Sequence, residues 1–292
     1  MSASGSRLPF PIPVVAIGPG SQPEAEEADF LPMPSGMDTY AMPVAHLEAD
    51  PAIVGATCAI LGRLQTAMLA TPPGAAEHPQ VDLHGVPRPV VELLDQSLGH
   101  GEVSVMIDAP GACRIQESVF TGVWRERHLA GDGSVAADRI IAAAIPPVVV
   151  AAAEAAASQD IEVPAPGPGI MNAPPVITEL IDRSRRFSAA QPAHVINLTL
   201  LPMSPEDLGY LARVLDVGPV TILSRGYGNC RITATRLRHV WWVHYFNSMN
   251  QLILNTLEVA TVPEVACAAA EDYRDSCERL GEWLATMRDE LD

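Results

Sequence analysis

The chain has 292 residues, with 18 basic against 35 acidic side chains and a formal charge of −17. Such a surface repels phosphate backbones and offers anionic lipids no basic patch, which excludes nucleic acid and membrane as expected partners. Five cysteines, an odd number with no CxxC pair, fit free thiols in a reducing cytosol and not a disulfide framework.

Residues 1–45 are rich in proline, glycine and acids, including "PEAEEADF" at 23–30, and are expected to form a flexible tail. Its apolar run after the prolines is only five residues, too short for an export signal, so a cytoplasmic location is expected. "PAIVGATCAILGRLQTAML" (51–69) reads as a helix. The apolar stretch "IIAAAIPPVVVAAAEAAA" (140–157) carries two prolines and a glutamate, which argues against a membrane span. "VPAPGPG" (163–169) is an exposed linker, and a second helix is expected over 168–186.

"HVINLTL" (194–200) alternates and predicts a strand. "SPEDLGYLARVL" (204–215) opens on Ser204, Pro205 and Asp207, a capping-box start, with Leu208, Leu211 and Leu215 on one face. "PVTILSR" (219–225) is a strand and "GYGN" (226–229) a turn. "CRITATRLRHVWWVHYF" (230–246) reads as one long strand, and "QLILNTLEVATV" (251–262) as another. From Pro263 to about residue 289 a helix is expected, with Tyr273, Cys277, Leu280, Leu284 and Met287 in one stripe.

The chain also repeats itself. Sliding it by 117 positions without gaps aligns Leu83–Glu154 on Leu200–Glu271 with 18 identities in 72 positions. "GACRIQESVFTGVW" (111–124) meets "GNCRITATRLRHVW" (228–241), and "AAAE" at 151–154 meets "AAAE" at 268–271. A period this long is domain-sized, not a solenoid repeat. The expected architecture is therefore α+β: two tandem duplicated domains, each an antiparallel sheet of about four strands packed with helices. The first covers 46–162 and the second 170–292, on either side of the 163–169 linker.

Candidate sites follow from strand parity. Cys113, Ile115 and Val123 share parity, as do Cys230, Ile232 and Val240, so the doubled cysteine reads as a small core residue. The alternative is a metal or iron–sulfur carrier using Cys113 and Cys230, with Cys58, Cys267 or Cys277 as further ligands. By parity Arg114 and Trp124, and likewise Arg231 and Trp241, fall on the opposite face. Each pair could make a cation–π contact or anchor a partner, unless a helix covers the indole. His239 is a further partner-binding candidate; with His244 five residues on, the two point to opposite faces of one strand and cannot share a metal. His128 and His194 stand alone. No G-x-S-x-G, P-loop, HExxH or GxGxxG pattern is present, so neither an enzyme nor a bound cofactor is expected.

The segments "IGPGSQP" (17–23), "GHGEVSVMI" (99–107), "MNAPPVITEL" (171–180), "INLTLLPMSPED" (196–207), "GYGNCRITATRLRHVWWV" (226–243) and "VPEVACAAAEDYRDS" (262–276) resemble, in order and over nearly the whole chain, the HupH/HyaF family of hydrogenase expression/formation proteins. The resemblance implies a cytoplasmic accessory protein for an uptake [NiFe]-hydrogenase. Its implied role is chaperone or scaffold for the small-subunit precursor while iron–sulfur clusters are built, before export, alongside a thioredoxin-like accessory protein. It carries over no catalytic residue, and Cys113 and Cys230 are not general features of the resemblance.

Overall fold

The computed structural model describes residues 50–71, 75, 77–108, 111–226 and 229–289. The acidic tail expected at 1–45 lies outside the described residues, as do Tyr227 and Gly228 of the "GYGN" turn. The first half runs α1 (Pro51–Ala70), β1 (Gln80–Asp82), α2 (Arg88–Leu98), β2 (Val103–Ile107), β3 (Cys113–Glu117), β4 (Val123–Leu129), β5 (Val135–Ala142) and α3 (Pro147–Ala156). The second half runs α4 (Ala173–Arg185), β6 (His194–Asn197), α5 (Pro205–Leu215), β7 (Val217–Ser224), β8 (Asn229–Thr235), β9 (Val240–Phe246), β10 (Leu252–Val259) and α6 (Ala270–Asp289).

Several boundaries differ from the sequence reading. The strand expected over 194–200 ends at Asn197 and passes into a 3-10 turn at Leu198–Leu200. The long strand expected over 230–246 is a hairpin, β8 and β9, because the chain turns at His239 with φ of 63°. The helix expected from Pro263 begins as a short 3-10 turn at Glu264–Ala266, and α6 starts only at Ala270. Positive φ marks the repeat more sharply than side-chain identity does. Asp216, His239 and Asn250 take left-handed conformations in the second half, and 117 residues earlier stand Gly99, Gly122 and Gly133, all at positive φ. These turns need a backbone that side chains resist, and glycine meets the need at least cost.

The fold is α+β, and its strands form one ten-stranded sheet in the order β1-β5-β4-β3-β2-β7-β8-β9-β10-β6, with every neighbouring pair antiparallel. The expectation of two sheets of about four strands is corrected here. Each half supplies five strands, and β2 pairs with β7 to join them. In that ladder Val105 faces Ile222, residues that are themselves 117 apart, so a local twofold axis passes between them. The physical reason is plain in β2: four of its five residues are buried, and an apolar strand left at a sheet edge would be an open pairing template.

The sheet is covered on both faces. On one face Val105, Ile107, Ile115, Trp124, Ile222, Ile232 and Trp241 pack with Val149 and Ala153 of α3. On the other, α1, α2 and α6 cover the first half around Val123 and Ile140, while α4 and α5 cover the second around Val240 and Leu257. The 20-residue α1 is long and apolar enough to cross a membrane by length and composition, but Cys58, Leu61, Leu64 and Met68 are buried against α2 and α6. The predicted stripe Tyr273, Cys277, Leu280, Leu284 and Met287 is the buried face of α6. It packs on the other half of the chain: Gln65 Nε2 donates to the Cys277 carbonyl at 3.2 Å, and the Tyr273 ring lies against Gly122. The exchange runs both ways, since the segment after α3 bridges to Leu237, tucks Ile161 into the second-half core and receives the Tyr210 hydroxyl at the Pro164 carbonyl.

The capping box at Ser204 is present, and Asp207 does more than cap its own helix. Its Oδ1 accepts from the backbone amides of Met171, Asn172 and Ala173, each at 2.9 Å, and its Oδ2 from Ser204 N at 3.2 Å. One buried carboxylate thus ties the start of α4 to the start of α5. Burial alone would raise its pKa, but the amides of Ala173, Ser204, Asn172 and Met171 outweigh it and hold the carboxyl below its ordinary value. A group with a depressed folded pKa stabilises above the unfolded pKa and loses that contribution as pH falls through the folded one. Asp207→Ala is expected to cost about 1.5–3 kcal/mol at neutral pH. The wild-type advantage over the variant should shrink as urea melts are taken below about pH 4; a pH-independent difference would contradict this account.

Candidate functional site

Cross-strand register decides where the candidate residues go. Cys113 pairs with His128, Ile115 with Glu126 and Glu117 with Trp124, so the face holding Cys113 also holds Trp124. In the second half Cys230 pairs with Tyr245 and Ala234 with Trp241. Chain parity had put the tryptophans with the arginines; the turn residues between the strands reverse that parity. Both indoles are core residues. Trp124 is 0% and Trp241 1% exposed, their Nε1 groups donating to the Ala143 carbonyl at 2.9 Å and to the Ala260 and Thr261 carbonyls at 3.2 and 3.1 Å. Neither makes the expected contact with its arginine or presents a surface anchor.

The arginines lie on the opposite face. Arg114 is half-exposed, reaching the Ile107 and Cys113 carbonyls at 3.2 Å and Asp108 Oδ1 at 3.3 Å. Arg231 is buried, with its guanidinium 5.7 Å from the Phe246 ring centroid and His244 directly across the ladder. Burial, reinforced by Arg231, pushes His244 down to about 4, so that imidazole is neutral at neutral pH. His239 is not on a strand at all: in its left-handed turn it stacks on Phe187 at 4.0 Å and sits 4.0 Å from Glu154 Oε1.

Cys113 and Cys230 are both buried, and burial raises each thiol to about 12. They do not meet at the pseudo-twofold axis. Three strand steps separate β3 from β8, and the ladders place the two cysteines opposite Ile107 and Ser224, while Ile107 itself faces Val220. Strand spacing and rise then put them roughly 19 Å apart, too far for a shared ion or cluster.

Sequence reasoning missed what surrounds Cys113. His128 does not stand alone: its Nε2 contacts Glu126 Oε1, and Cys113, Glu126 and His128 each place a potential ligand atom within 4.8 Å of the other two. Arg139 pairs with the same Glu126 oxygen through Nε at 2.9 Å and Nη2 at 2.5 Å. The alternation "ERH" in β4 carried the only available signal, since Glu126 and His128 share parity on one strand. His194 likewise has a partner, Glu179 Oε1 at 2.7 Å.

Glu117 is the other buried carboxyl of this face. Burial pushes it up to about 7 against the Gly122 and Val103 amides, and Glu102 and Asp272 add to the rise. A carboxyl with a raised folded pKa binds its proton more tightly in the native state, so stability falls as pH rises from about 4.5 to about 7. Glu117→Gln should flatten that slope in chemical melts across this window; an unchanged slope would mean the carboxyl titrates normally.

A family model described as the HupH hydrogenase expression protein, C-terminal conserved region, matches this chain twice, at residues 54–162 and 170–287. The chain belongs to the HupH/HyaF family of hydrogenase expression/formation proteins. Among its relatives, the hydrogenase expression/formation protein HoxQ of Cupriavidus necator is 44% identical over 276 residues, covering 94% of this chain and 97% of that one. HupH of Rhodobacter capsulatus is 43% identical over 281 residues, covering 96% and 98%. The hydrogenase-1 operon protein HyaF of Escherichia coli is 35% identical over 282 residues, covering 92% and 95%. A solved HupH chain from Thiobacillus denitrificans aligns with 39% of this chain and 96% of its own, at 27% identity and a TM-score of 0.37. The two stretches matched by the family model correspond to the two halves of the sheet. This family member is therefore a hydrogenase maturation accessory protein.

Proposed function

We propose that the protein is a non-enzymatic chaperone or scaffold that holds the hydrogenase small-subunit precursor in the cytoplasm while its iron–sulfur clusters are assembled, with a thioredoxin-like accessory protein as a second partner. The observation that carries this reading is membership, over nearly the full chain, in a family whose members are named for hydrogenase expression and formation. The fold class supports it: a broad sheet built from two equivalent halves, best explained as a duplicated domain, offers related surfaces at fixed separation, and linked contacts raise effective concentration for one client.

An apolar rim supports a protein-binding role. At the β6 edge Val195, Leu200 and Ile253 are exposed, Leu200 by 73%, with Leu252 and Met249 beside them. Side chains of this kind, left in water beside an edge strand, suit contact with another chain. The client-binding surface is assigned here, and not to the buried Trp124 and Trp241.

The test is an affinity pull-down from cells expressing a hydrogenase operon, with mass spectrometry of the captured proteins. Recovery of the small-subunit precursor is expected, and Leu200→Asp with Ile253→Asp should reduce that recovery at least fivefold with an unchanged melting profile. Capture of no hydrogenase component would remove the scaffold reading.

A further inference from the structure

We propose that Cys113, Glu126 and His128 form a binding site for one divalent transition-metal ion of the zinc class. Thiolate sulfur, imidazole nitrogen and carboxylate oxygen are the three donor types such ions take, and three protein ligands leave one position open. The site is built by the sheet itself. Cys113 and His128 are direct cross-strand partners, and Glu126 precedes His128 by two residues on the same face. Tetrahedral bonds to these donors imply ligand–ligand separations of about 3.5 Å. The three atoms already lie within 4.8 Å of one another, a difference that side-chain rotation covers.

Two further observations point to a ligand. Glu126 is fully buried; Arg139 and His128 both meet its Oε1, while its Oε2 is buried without a hydrogen-bond partner among the described residues. An orphan carboxylate oxygen in a dry site is costly, and a cation would satisfy it. The second observation is the internal twin. The residues 117 positions on are Cys230, Val243, Tyr245 and Thr256, in the same ladders as Cys113, Glu126, His128 and Arg139. That half builds the same strands with Val243 where the first half buries a charge. The fold does not require Glu126, Arg139 or His128, and a buried ion pair is weak support for stability compared with an apolar pair. The retained polar set in one half only is what a ligand site would leave. His128, 31% exposed, and Arg139, 35% exposed, give the site an opening to solvent.

The test is titration of the chelator-treated full-length chain with Co2+, read by absorbance, followed by displacement with Zn2+. The expected result is one Co2+ per chain with a sulfur-to-cobalt charge-transfer band that Zn2+ abolishes. His128→Ala should weaken binding at least tenfold, and Cys113→Ser should remove the band while Cys230→Ser leaves it intact. Absence of the band with the wild-type chain overturns the proposal, as does unchanged affinity in His128→Ala, a half-exposed position whose replacement leaves the core in place. Circular dichroism of each variant separates lost binding from lost folding, and because the readout involves no client it stands or falls apart from the scaffold reading.

Discussion

Residues 50–162 produced alone are expected to fail to fold, although they contain one complete match to the family model. Their helical layer lacks α6, which supplies Tyr273, Cys277, Leu280, Leu284 and Met287 to the core formed by α1, α2, β4 and β5. Burying a large apolar side chain contributes about 1.5–3 kcal/mol, so five of them contribute on the order of 10 kcal/mol. That equals the whole net stability of an ordinary domain, roughly 5–15 kcal/mol. The fragment also exposes β2, whose partner β7 is in the other half. Size-exclusion chromatography and thermal melts of the fragment should show aggregation or no cooperative transition. A monomeric fragment with a sharp melt would show that the halves are independent domains and that α6 is an accessory.

Trp241→Ala is expected to lower the unfolding free energy by about 3–5 kcal/mol, and Trp124→Ala by a similar amount. Each indole is buried between the sheet and the α3 side, and each Nε1 donates to backbone carbonyls just past the end of the following strand. Truncation leaves a large cavity and orphans those carbonyls. Urea unfolding followed by circular dichroism measures the loss. A change below about 1 kcal/mol would mean that the site collapses onto the gap, since the cost depends on how well neighbours close in. Trp242, packed at the margin of the second-half core and held by its Nε1 bond to Asn255 Oδ1 at 2.6 Å, is the partly buried comparison.

Much of the local structure was legible. The Ser204–Asp207 box, the α6 stripe and the strand runs at 219–225 and 251–262 are short-range patterns, and each element appears where its pattern lies. The hairpin at His239 was not legible, because nothing in "RLRHVW" names a turn; its glycine counterpart, Gly122, stands 117 residues earlier and was the available clue. The placement of the tryptophans failed for the same reason. Two-residue alternation holds along one strand, but a turn of unknown length resets it, so Trp124 rejoined the face of Cys113 and left Arg114 on the other. His128 looked isolated although its contact Glu126 stands only two residues before it, because its cross-strand partner Cys113 is 15 positions back and Arg139, which shares Glu126, is 13 positions beyond that carboxylate, distances that only strand pairing removes.

The sequence by itself determined the family, the α+β class, the acidic surface and the offset of 117 that relates one half to the other. It could do so because composition, periodicity and self-similarity are all properties of the chain read in order. The tertiary structure decided that the two halves share one sheet, that α6 covers the half it does not belong to, and that Cys113 meets Glu126 and His128 while remaining far from Cys230. These depend on which apolar edges and stripes find one another in space, and equivalent surfaces in a repeated chain can pair within a half or between halves with the same local pattern. Packing chose the exchange, since it leaves neither β2 nor the core over β4 and β5 open to water.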